Sequence, residues 1–105
     1  MTNAHHYRLT PDAQSDLIAI RRYTLVQWGS EQSKKYLSEL RQIMSLLSET
    51  PKMGTKRSEL GAEIFSFPHS RHVIYYHCLG KQLVVFGILH KSMLPTAHLE
   101  DTKYN

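Results

Sequence analysis

At 105 residues and 41% apolar content, the chain has room for one domain (1–105) with a modest core, which argues against disorder throughout. One cysteine, Cys78, excludes an intramolecular disulfide. No apolar run reaches the roughly 18 residues of a bilayer span, and the polar opening MTNAHHYRL does not read as a secretory signal, so a cytoplasmic protein with no membrane role is expected.

The formal charge of +4 favours an acidic partner, nucleic acid or protein, without choosing between them. HHYRL (5–9) reads as a short first strand. In TPDA, Thr10 suits an N-cap, Pro11 the first helical position and Asp12 the positive end of the dipole. Ala13, Leu17, Ile20, Thr24 and Trp28 then recur at spacings of three and four, giving the inward stripe of a first helix. Gly29 is expected to end it as a left-handed residue, and Ser30 to cap a second helix at once. That helix carries the stripe Tyr36, Leu37, Leu40, Ile43, Met44 and Leu47 until Pro51 breaks it. So short a joint predicts an antiparallel helical hairpin.

PKMGTKRSELG (51–61) reads as a basic loop. AEIFSF (62–67) follows as a strand ended by Pro68, then RHVIYYHCL (71–79) and QLVVFGILH (82–90), joined by a two-residue turn at Gly80–Lys81. The near-continuous apolar run Leu83–Leu89 predicts a central strand covered on both faces. The expected fold is therefore α+β: an N-terminal strand, a helical hairpin and a three-stranded antiparallel meander, the helices packed on one face of an antiparallel sheet.

Five stretches in this order, YRLTPDAQSDL, YTLVQWGSEQSKKYL, TPKMGTKRSEL, FPHSRHVIYY and ILHKSMLPTAHL, resemble the ParE branch of the RelE/ParE superfamily of bacterial type II toxins. The resemblance spans nearly the whole chain. It implies a toxin that blocks DNA gyrase, and so replication, and that a ParD-like antitoxin neutralises. The alternative within the superfamily is a RelE-like, ribosome-dependent mRNA endonuclease, which would need an acid–base set beside its cations. A third reading is a remnant that keeps antitoxin binding without toxicity.

Lys52, Lys56 and Arg57 in the loop, Arg71 on a strand, and His90, Lys91, Met93 and His98 around the last strand's end form the expected target-contact set. Whether any of them meets nucleic acid directly stays open. His90 is read as hydrogen-bonding the corner after the last strand, with Met93, Leu94 and Leu99 folding back on the sheet edge. The histidines lack the spacing of a three- or four-ligand metal site, and Cys78 has no acid to orient a histidine beside it, so it reads as a packed residue. Tyr104 stands on the terminal stretch, away from any such set. No catalytic residue, metal or cofactor is expected. Ile18, Leu25 and Leu46 lie off the helical stripes and suit an amphipathic antitoxin helix.

Overall fold

The computed structural model describes residues 7–93 and residue 95; His5, His6, Leu94, His98, Leu99 and Tyr104 lie outside the described residues. Strand β1 (Tyr7–Leu9) leads into helices α1 (Pro11–Trp28) and α2 (Ser30–Glu49). A single 3-10 turn (Pro51–Met53) and a two-residue strand, β2 (Thr55–Lys56), follow. Strands β3 (Ile64–His69), β4 (His72–Leu79) and β5 (Gln82–His90) complete the α+β fold.

The start of α1 is the one its sequence dictates: Pro11 occupies the first turn and the Thr10 hydroxyl accepts from the Ala13 amide at 3.2 Å. Its end is not. Gly29 has φ 91° and ψ 170°, a region open essentially to glycine but outside the left-handed helical well. This one residue closes both helices. Its N–H donates to the Leu25 carbonyl and its own carbonyl accepts from the Ser33 amide, each at 3.1 Å. Ser30, expected as the cap, is instead the first residue of α2, which has no side-chain cap.

The five strands run in the order β1-β5-β4-β3-β2. β2, inside the expected loop, adds an edge by pairing Thr55 with Ser66 and Lys56 with Phe65. β1 pairs with β5 in parallel (Tyr7 opposite Leu83), so the sheet is not wholly antiparallel; the long crossover through both helices permits that direction. β3 also runs through Pro68, which the sequence reading took as its end. The outer neighbour β2 reaches only Phe65 and Ser66, so Pro68 sits on an open edge where a missing N–H is tolerated.

β5 is central, as expected, with Leu83 to Leu89 all buried. Its Gly87 lies at a register shift opposite Tyr75–Tyr76, and the side chains change phase there. Val85 and Ile88 therefore both join the helix-side core with Ala13, Ile20, Leu40 and Met44, while Phe86 and Leu89 pack with Ile64 and Tyr75 in a second cluster. Between the helices the buried Thr24 and Ser33 hydroxyls meet at 2.7 Å, and Thr24 also donates to the Ile20 carbonyl at 2.8 Å. Each polar group is thereby satisfied out of water. Cys78 packs half-buried against the helix-side core, as its sequence context suggested.

Candidate functional site

The β3–β4 turn brings the chemistry-bearing side chains together. His69 pairs with His72 across it, Ser70 takes a left-handed φ of 55°, and the Arg71 carbonyl accepts from the Lys91 amide at 2.9 Å. The end of β5 is thus tied to the turn, with His72 opposite His90. From α2, Tyr36 reaches into the turn: its hydroxyl lies 2.7 Å from His72 Nδ1 and 3.2 Å from the His69 carbonyl. The Tyr36 ring stacks with that of His69 at 5.5 Å and takes the edge of Trp28 at 5.5 Å. His69 Nε2 in turn holds the Glu39 carboxylate at 2.9 Å.

Burial dominates the electrostatics here. It pushes the His72 imidazole down to about 4, and the neighbouring charges of His90, His69 and Arg71 push the same way. Burial also raises the Tyr36 phenol, against hydrogen bonds from the Arg71 backbone and the Ser70 side chain that lower it. At neutral pH the pair is therefore an uncharged hydrogen bond. It holds the turn in place, and His72 is a poor proton acceptor.

The eight expected target-contact residues do not form one patch. Arg71, His90, Lys91 and Met93 gather at the β3–β4 turn and the end of β5, all exposed. Arg71, His90 and Met93 line a groove of about 370 Å³ against α1. His90 makes the expected corner bond, Nδ1 to the Ser92 hydroxyl at 2.8 Å, but Met93 is 52% exposed rather than folded back. Lys52, Lys56 and Arg57 belong to the opposite edge, at β2 and the turns beside it. Lys56 faces Glu63 at 3.8 Å. Arg57 is fixed by Glu59 at 2.6 Å and Ser66 at 3.2 Å, over the Tyr75 ring. His98 lies outside the described residues.

Ile18, Leu25 and Leu46 are 54%, 38% and 52% exposed on the helical hairpin. Ile18 and Leu25 are seven apart and so share one face of α1. Sequence reasoning placed Trp28 on the inward stripe of the first helix but missed the cleft it walls, and it missed Lys35, Tyr36 and His69 as site residues. The only local signal was the cluster His69–Ser70–Arg71–His72 around a turn; Tyr36 lies more than thirty positions away in sequence. Among the described residues, no group of three or more His, Cys, Asp or Glu side chains is placed to hold a metal ion, and no helix is long and apolar enough to cross a membrane.

Comparison with known proteins bears on the family and the fold. Residues 7–95 match the family model described as the ParE toxin of type II toxin–antitoxin system, parDE. The chain is 34% identical over 93 residues to Toxin ParE1 of Caulobacter vibrioides, covering 89% of this chain and 96% of that protein. It is 32% identical over 98 residues to Toxin ParE of Escherichia coli, covering 90% and 93%. Among solved structures it resembles a chain of the chromosomal ParDE TA system from P. aeruginosa, with a TM-score of 0.69 at 18% identity, covering 82% of this chain and 95% of that one. That last likeness is one of fold.

Proposed function

Because the chain belongs to the ParE toxin family of type II toxin–antitoxin systems, we propose that it is a cytoplasmic single-domain toxin that inhibits DNA gyrase by binding it and is neutralised by a ParD-like antitoxin. The family match over residues 7–95 carries this reading. A binding mode rather than catalysis is supported by His72, buried and held neutral by its surroundings at the centre of the imidazole cluster. Arg71, His90, Lys91 and Met93 make the primary target-contact face, with Lys52, Lys56 and Arg57 as a separate edge; His98 completes the proposed set. Ile18, Leu25 and Leu46 receive the antitoxin, whose apolar helix face they complement.

The experiment compares two activities of the purified protein. Gyrase supercoiling is expected to fall, or its cleaved-DNA complex to accumulate, while mRNA on translating ribosomes stays intact. Codon-specific cuts with supercoiling untouched would instead establish the RelE-like endonuclease.

A further inference from the structure

Two clefts meet at Trp28. One, of about 520 Å³, lies between α2 and the β3–β4 turn and is lined by Gln32, Lys35, Glu39 and Ser70 as well as Trp28 and Arg71. The other is the groove of about 370 Å³ along α1, where Ala19, Ile20, Tyr23, Leu89 and Met93 supply apolar walls. Trp28 and Arg71 line both. The Arg71 guanidinium lies over the Trp28 ring at 5.8 Å, a contact that holds its charge at the junction.

Neither Lys35 nor Arg71 has a carboxylate within ion-pair distance among the described residues. Glu39, the acid lining the first cleft, is taken up by His69. The first cleft therefore offers two cations to an anionic group, and the second offers an apolar slot immediately beside it. The geometry points to a bipartite receptor for an acidic segment of the antitoxin: a carboxylate between Lys35 and Arg71, and a neighbouring aliphatic side chain in the groove. This rests on the antitoxin reading above. Continuity supports that source, since Trp28, Gln32 and Lys35 belong to the same hairpin that carries Ile18 and Leu25. A nucleic acid fits less well. The Trp28 ring already carries Arg71 and abuts Tyr36, and phosphates at every step would run from the cationic cleft into an apolar one.

Trp28 is the chain's one tryptophan, so its fluorescence reports this junction alone. The probe is the antitoxin in a tryptophan-free form, titrated into wild type, Lys35→Glu, Arg71→Glu and, as a control of equal charge change outside the cleft, Lys34→Glu. All three positions are exposed, and thermal melting verifies that each variant folds. Wild-type binding is expected to shift Trp28 emission and to weaken with salt. The two cleft variants are expected to lose affinity by roughly tenfold or more, and Lys34→Glu far less. Equal losses in all three variants would reduce the effect to overall charge and overturn the site. So would unchanged binding in the cleft variants, or a single-stranded oligonucleotide that shifts Trp28 with the same dependence on Lys35 and Arg71. If a pull-down shows that wild type binds no antitoxin, the antitoxin reading falls as well; if wild type binds and the cleft variants bind equally tightly, the cleft assignment falls alone.

Discussion

The burial of His72 links stability to pH. Folded His72 takes a proton only near pH 4, against 6.5 for the unfolded chain. Between those values the unfolded state binds more protons, so this group's contribution is complete above pH 6.5 and is lost as pH falls toward 4. The change is at most about 3 kcal/mol. Melting temperature measured across that window is expected to fall less steeply for His72→Gln than for wild type; parallel curves would remove His72 as the cause. Tyr36→Phe leaves the imidazole nitrogen and the His69 carbonyl without the phenol, at a cost of about 1–3 kcal/mol in chemical denaturation. None of this was visible as a sequence motif. His69 and His72 stand out beside a turn, but what fixes their roles is a tyrosine on another element.

Among the elements, the helical hairpin was the most legible, because a stripe at spacings of three and four is local information. Thr24 fell on that stripe and is fully buried, its hydroxyl satisfied by Ser33. The joint was read correctly in place but not in conformation. Whether one glycine or a glycine and a serine cap the helices depends on ψ, which spacing does not encode. A Cβ at Gly29 would meet nothing within 4 Å, so Gly29→Ala tests the backbone alone. Its expected cost is about 1–3 kcal/mol of unfolding free energy, read from denaturant midpoints. On the outer face of the same hairpin, Ile18→Asp with Leu25→Asp is expected to weaken the antitoxin complex by about 2 kcal/mol or more. Calorimetry measures this, and an unchanged affinity would move the antitoxin elsewhere. β2 escaped notice for the opposite reason: two exposed residues are a strand only by virtue of pairing with β3.

On the scale of the whole molecule, the sheet separates the two groups of basic residues, with β5 ending by Arg71 and His90 and β2 carrying Lys56 at the far edge. Their charge reversals are therefore expected to differ in effect. Arg71→Glu with Lys91→Glu should relieve growth arrest strongly, while Lys52→Glu with Lys56→Glu should relieve it little, at matched protein levels on induction. Equal relief would make net charge, not the face at the β3–β4 turn, the source of toxicity. Sequence alone could nominate these residues but not sort them, since sorting needs the strand order. That order also sets a timetable. Tyr7 pairs with Leu83, 76 positions later, so the earliest strand to be synthesised waits for nearly the latest. At ~5–20 residues per second the delay is roughly 4–15 s. During it the hairpin's inner face, with Ile20, Leu40 and Met44, lacks most of the strands that bury it. The helical hairpin is thus complete in sequence while the end of β5, with His90, is still to be made, and an antitoxin that recognised the hairpin would have that interval in which to meet the nascent chain.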